Sequence, residues 1–251
     1  MAHLGRSRRR GSLTYYRDDL ALVHHLGFGF PADACAPGIL ALLEPVRGGL
    51  VVELGCGSGL LTRHLVEAGH RVVATDASPA MLALARETVP DAEVRQLVLP
   101  NDPVPECDAV VSVGHVLSYL PDEAAVERAL VAAAAALPPG GIFALDLCDL
   151  RYGELRRDEP NSSRIADDWA IVTRFGLPEP NVFVREITAF VRKEDGTWRR
   201  DDERHINVLV DTSAVPALLA EHGVDARVAP SFGDEELPEG LVALIGQKVA
   251  A

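Results

Sequence analysis

Gly55, Gly57 and Gly59, in the stretch "VELGCGSGLL", form the turn of this sequence best suited to hold a ligand. A glycine-rich turn leaves backbone amides open and lets a bound group approach where side chains would block it. Two phosphate-binding patterns fail on spacing. A dinucleotide turn needs a small residue three places after its second glycine, and that place holds Leu60. A phosphate loop needs Lys and then Ser or Thr after its last glycine, but Leu60, Leu61 and Thr62 follow. Glu53 beside the turn repels phosphate and suits a cationic ligand end. Asp76 closes the next apolar run, about twenty residues on, where a carboxylate can accept both hydroxyls of a ribose. The chemistry that meets all of these demands is a ribose joined to an ammonium or sulfonium group, with no essential phosphate.

Proton transfer would fall to histidine. His115 comes just after an apolar run, and an imidazole of unperturbed pKa near ~6.5 suits proton removal at neutral pH. It could equally shape a pocket or bond one end of a ligand. His24 and His25 are adjacent and cannot share a helix face; of the two, His24 is expected to face a site. No metal-ligand pattern accompanies them, and no metal is expected. Gly27-Phe28-Gly29-Phe30 reads either as a hinged lid or as plain packing. Glu186 and His205 fall in alternating segments, on a sheet surface or among substrate contacts, while Arg63 and His64 are expected to meet solvent.

The elements that must position these groups follow from the apolar pattern. Leu50–Leu54 reads as a buried strand, 60–68 as a helix stopped by Gly69, and 71–75 as a second strand. Ser78 with Pro79 starts another helix. Strands at 93–97, 108–113 and 142–147 alternate with a long Ala-rich helix after Pro121-Asp122. That rhythm is the signature of a doubly wound parallel sheet. After Leu147 the period changes to two: 169–175, Val182–Arg192 and 198–210 read as antiparallel strands with one solvent face. A helix from about Asp211 and strands at 224–228 and 241–249 complete the sheet. The expected organisation is one domain over 1–251: a helical lid segment at 1–48, a binding core at 49–150, an antiparallel insertion at 151–210 and a closing segment at 211–251.

Bulk properties narrow the partners. A net charge of −13 over 251 residues argues against nucleic acid as the main partner, and Arg6–Arg10 reads as a solvated tail. No leader is predicted, and the longest apolar run, 129–137, is too short for a bilayer, so no membrane association is expected. The four cysteines form no CxxC pair, which fits reduced thiols and a cytoplasmic location.

"VVELGCGSG", "VVATDASPAML", "CDAVVSVGHVLSYL" and "LPPGGIFALDL" stand in the order and spacing of class I S-adenosylmethionine (SAM)-dependent methyltransferase motifs, and the chain resembles that family. The opening and the antiparallel insertion more loosely resemble bacterial small-molecule methyltransferases, including sugar N-methyltransferases of antibiotic pathways. The resemblance implies an α/β, Rossmann-like, doubly wound seven-stranded sheet with an antiparallel β insertion. It implies SAM as cofactor and S-adenosylhomocysteine as product. By position it implies that Glu53, Gly55, Cys56, Gly57 and Gly59 approach the methionyl part, and that Asp76 takes the ribose. Ala77 and Met81 would border the adenine, with backbone near Leu97 and Val98 replacing an acidic residue that many relatives carry there. Gly114 and His115 would lie near the sulfonium, and Tyr16 would close over it. A small-molecule N- or O-methyltransferase of specialised metabolism, an RNA or protein methyltransferase, and a SAM-binding protein without methyl transfer all remain open, as does a homodimer.

Overall fold

The computed structural model describes residues 15–158 and 161–250, so the basic cluster at 6–10 lies outside the described residues. The chain opens with helices α1 (Asp18–Gly27) and α2 (Phe30–Leu42), then β1 (Leu50–Leu54), α3 (Leu60–Glu67), β2 (Arg71–Asp76), α4 (Pro79–Thr88) and β3 (Glu93–Gln96). It continues through β4 (Ala109–Val111), a 3-10 turn at Val116–Tyr119, α5 (Glu123–Ala135) and β5 (Ile142–Cys148). Then come α6 (Leu150–Arg156), β6 (Ser162–Ile165), β7 (Trp169–Glu179), β8 (Val182–Arg192), β9 (Trp198–Val208), α7 (Val215–Glu221), β10 (Val224–Ala229) and β11 (Leu241–Lys248).

Local chemistry explains most boundaries. Ser78 caps α4 by accepting from the Met81 amide, with Pro79 at the first helical position. Asp122 caps α5 through the Ala125 amide at 2.8 Å. The seven-stranded sheet runs β10-β11-β5-β4-β1-β2-β3, with β11 antiparallel to both neighbours. Alternate residues of one strand feed opposite faces. Val52 and Leu54 pack with Phe143, Leu145 and residues of α5 and α7, while Val51, Ala109 and Ala144 pack with α2, α3 and α4. Each fully buried Leu or Phe contributes about 1.5–3 kcal/mol, which makes this two-sided core the main source of stability.

The second sheet, β6-β7-β8-β9, is antiparallel throughout. Its inner face packs Ile171, Ile187, Ala189 and Val191 against Leu20 and Val23 of α1, and Arg199 of β9 pairs with Asp19 of α1. Its outer side leaves Val172 and Trp198 exposed.

Four details differ from the sequence expectation. The segment after β5 opens with α6, whose start Asp149 caps by accepting from the Arg151 amide. The strand β6 escaped the sequence reading because "SSRI" is exposed throughout and carries no apolar alternation. The helix expected from Asp211 begins at Val215, because Asp211 first caps a 3-10 turn at Thr212–Ala214. His64 is also not given to solvent: its Nε2 lies 2.8 Å from Asp33 Oδ1, tying α3 to α2.

Candidate active site

The carboxyl ends of β1, β2 and β3 and the segment after β4 open into one cavity of about 350 Å³. This is the crevice where open α/β sheets bind ligands. Gly55, Gly57, Asp76, Ala77, Met81, Leu97, Val98 and Gly114 line it, and Tyr16 and His24 close it from the N-terminal side. Gly55 must be glycine: its φ is +68°, and a Cβ there would meet the Val116 side chain at 2.3 Å.

Asp76 is fixed before any ligand arrives. Its Oδ2 accepts from the Gly57 amide at 2.9 Å and its Oδ1 from the Ser78 amide at 2.8 Å. Burial raises its pKa and these amides oppose the shift. Each oxygen keeps a further lone pair for a donor in the cavity.

Four expected site residues do not line this cavity. Glu53 is buried and accepts from Thr62 Oγ1 of α3 at 2.6 Å. Cys56 is buried, with its Sγ donating to the Gly57 carbonyl. Burial pushes that thiol well above its ordinary value, so it is no nucleophile. Gly59, with φ +83°, starts α3, and a Cβ there would press on Val89 at 3.0 Å, so this glycine serves helix packing. His115 adopts a left-handed backbone, and its ring stacks on Tyr119 at 5.8 Å. Burial first, and then the charge of Arg185, hold its pKa well below 6.5. The unperturbed value assumed from sequence therefore does not apply.

The His115 turn is set by a residue the sequence reading missed. Asp146, fully buried in β5, accepts from the amides of Gly114 and His115, both at 2.8 Å. A lone carboxylate inside "IFALDLC" was the available signal. Burial pushes Asp146 up to about 7, against the pull of the two amides.

The N-terminal strap roofs the crevice, held there by the second sheet. Tyr16 has φ 55°, its amide donates to Glu203 Oε2 of β9 at 2.8 Å, and its carbonyl accepts from Ser78 Oγ. Its hydroxyl pairs with that of Tyr119 at 2.8 Å. Arg185 Nη2 of β8 also bonds the Tyr119 hydroxyl. His205 is buried, with Nε2 2.8 Å from Glu203 Oε2, and its ring packs on Tyr15 and Tyr16. Glu186 stays exposed and pairs with Arg174, away from this cluster. His24 packs against Tyr16 and Phe28, and its pKa falls to about 4 through burial and then the charge of Arg185. Phe28 also packs on Trp169, while Phe30 is exposed. Tyr119, Glu203 and Arg185 were legible only as polar residues at odd places: Arg185 interrupts an otherwise apolar face of β8, while Glu203 and His205 lie on a β9 face made of polar residues, which carries no core signal.

Glu53 carries a stability prediction. Burial raises its pKa from 4.5 to about 7, so the folded state holds a proton that the unfolded chain has lost. Its favourable contribution is present below about 4.5 and is lost as pH rises through about 7. Glu53→Gln keeps an acceptor for Thr62 and removes the titration. At pH 8 the variant should melt above the wild type, by up to about 3 kcal/mol of stability, with the gap closing near pH 4. Parallel melting curves across that range would refute the buried-carboxyl account.

Comparison with known proteins agrees with this geometry. A methyltransferase domain model matches residues 51–141. The chain is 25% identical over 192 residues to a methyltransferase-named protein of Geobacillus sp. (strain WCH70), covering 74% of this chain and 78% of that one. It is 35% identical over 122 residues to trans-aconitate 2-methyltransferase of Variovorax paradoxus (strain S110), covering 46% of this chain and 45% of the relative. Among solved structures, a SAM-dependent methyltransferase from Clostridium acetobutylicum ATCC 824 superposes with a TM-score of 0.78 at 15% identity, covering 92% of this chain and 98% of that one. The sugar N-methyltransferase KedS8 from Streptoalloteichus sp ATCC 53650 superposes at 0.77 with 22% identity, covering 100% and 99%. A carboxylate fixed at the end of β2, a glycine turn open at β1, this domain match and these superpositions together show a methyltransferase domain of the SAM-dependent type at residues 51–141, on the class I methyltransferase fold.

Proposed function

We propose that the enzyme methylates a nitrogen or oxygen nucleophile on a small-molecule acceptor, in bacterial specialised metabolism. The observation that carries this reading is the roof. Tyr15, Tyr16, His24 and Tyr119 line the same cavity as Asp76 and Gly114, so this end of the crevice lies under the N-terminal strap and α1, which the second sheet holds in place. A folded protein or an RNA helix does not fit such a recess, and a net charge of −13 disfavours the latter further. The KedS8 structure, named as a sugar N-methyltransferase, shares this architecture and supports the class of acceptor.

In this reading Asp76 and the amides around Gly55 and Gly57 would hold SAM, with Ala77, Met81, Leu97 and Val98 bounding its adenine end. Bound there, SAM supplies a methyl group already activated by a sulfonium. The protein's work is then orientation and the handling of one proton. Alignment of nucleophile and methyl can supply about 7–11 kcal/mol in favourable cases. His24 is neutral at pH 7, and its Nδ1 is buried without a hydrogen-bond partner, so it can take a proton from an attacking amine or hydroxyl. Asp146 holds the Gly114–His115 turn, and Tyr16, tied to Glu203 and Ser78, keeps water out.

Incubation with methyl-labelled SAM and a panel of amines, amino sugars, phenols and hydroxy acids tests the proposal. Label should move to a metabolite at a rate insensitive to salt between 50 and 500 mM, values chosen for the assay at about a tenfold span. Label that enters only RNA or protein would overturn it.

A further inference from the structure

The inner face of the second sheet is apolar along β8 except at one position. Phe183, Ile187, Ala189 and Val191 are buried there, and Arg185 falls in the same alternation. Its cross-strand neighbours are Phe175 and His205, which offer no counter-charge. The guanidinium has five donors in a planar fork and stays charged at any accessible pH. Among the described residues one of those donors has a protein partner, the Tyr119 hydroxyl, and Nε is buried with none.

No carboxylate among the described residues forms an ion pair with Arg185. Glu203, the acid on the adjoining strand face, is taken by the amides of Tyr16 and Arg17 and by His205 Nε2. Arg185 is partly buried, with its Nε closed off from solvent, and a cation so placed without an anion is unfavourable unless a ligand completes it. Three imidazole nitrogens in the same neighbourhood, His24 Nδ1, His115 Nε2 and His205 Nδ1, are likewise buried without partners. All three histidines are held neutral in part by the charge of Arg185, so they share its field. A neutral imidazole carries one N–H: His205 gives its own to Glu203, and His24 keeps Nδ1 free as an acceptor, so His115 Nε2 is the ring nitrogen here that can donate to an oxyanion.

We propose that Arg185 is the receptor for an anionic group, a carboxylate or a phosphoryl-type oxyanion, carried by the methyl acceptor. The acceptor is then an anionic or zwitterionic small molecule, held by a forked charge-assisted contact while its nucleophile faces the methyl group. This deepens, and rests on, the small-molecule reading above. The donor's own carboxylate is the rival anion, but Arg185 lies over the Tyr119 ring and within electrostatic reach of Cys148 at the end of β5, whereas the glycine turn opens between β1 and β2.

The test uses the full chain saturated with S-adenosylhomocysteine. Calorimetry with acetate and inorganic phosphate, against acetamide, reads the anion site directly. Turnover of amino acids against their matched amides reads it in the reaction. Wild type should favour the anionic member at least tenfold, a factor typical of one charge-assisted contact. Arg185→Met should abolish that preference, hold SAM affinity within about twofold and melt at or above the wild-type temperature, because a partly buried, unpaired charge is gone. Arg185→Lys should restore part of the preference, without the fork. If Arg185→Met instead weakens SAM binding tenfold with anion discrimination intact, Arg185 belongs to the donor and the proposal falls. A marked loss of melting temperature in both variants, or equal binding of acetate and acetamide by wild type, also overturns it. If anions bind through Arg185 but no small molecule is methylated, the receptor stands and the acceptor class proposed above is what fails.

Discussion

Asp76→Ala should raise the SAM dissociation constant by at least 100-fold, about 3 kcal/mol, while the protein stays folded. The carboxylate sits at the cavity wall with each oxygen already fixed by one backbone amide, from Gly57 and Ser78. A ribose placed there would gain two charge-assisted hydrogen bonds, each contributing about 1.5–3 kcal/mol. Ala removes both, and it also frees the two amides that shape the turn. Asp76→Asn should fall between the two proteins, because one oxygen remains as an acceptor. Calorimetric titration with SAM, with circular dichroism as a check on folding, measures the effect. A change under threefold in a folded variant would take Asp76 out of the cofactor site.

The second large effect concerns the proton. His24→Gln should lower kcat by about 100-fold while leaving SAM affinity within a few-fold, the signature of a group used in the transition state. The loss should shrink as pH rises past the pKa of the acceptor, since no proton then needs removing. His24 titrates near 4 in the free enzyme, so its acid limb in kcat/KM should appear near that pH and not at 6.5. His115→Gln should show a smaller loss, shared between kcat and KM, because that ring supports Tyr119 from behind the cavity wall. Reversal of this order, with His115 carrying the large kcat loss, would make His115 the base.

The seven strands of the main sheet, the glycine turn and the type of cofactor were all legible in the residues. The strands and the glycine turn are written in local runs of residues, even where their partners, as in β1 with β4 and β5 with β11, are far apart in the chain. Apolar runs of five to seven residues, as in β1 and β5, write the strands directly. The step from Gly57 to Asp76 is 19 residues inside one strand–helix–strand unit, so fixed geometry makes the spacing readable. Only the tertiary structure decided what roofs the crevice. Tyr16 meets Glu203 across 187 residues, and Arg185 meets Tyr119 across 66, through docking of the second sheet onto α1 and the 3-10 turn. No local period encodes such a meeting. The inward positions of β8 did carry a trace of it, in Arg185 among apolar residues, whereas the polar face of β9 holding Glu203 and His205 gave none. Whether each charge there met a partner or stayed open was fixed by packing alone. The same packing lowered His24 and His115, because desolvation and the field of one partly buried cation depend on distances that a linear pattern does not contain.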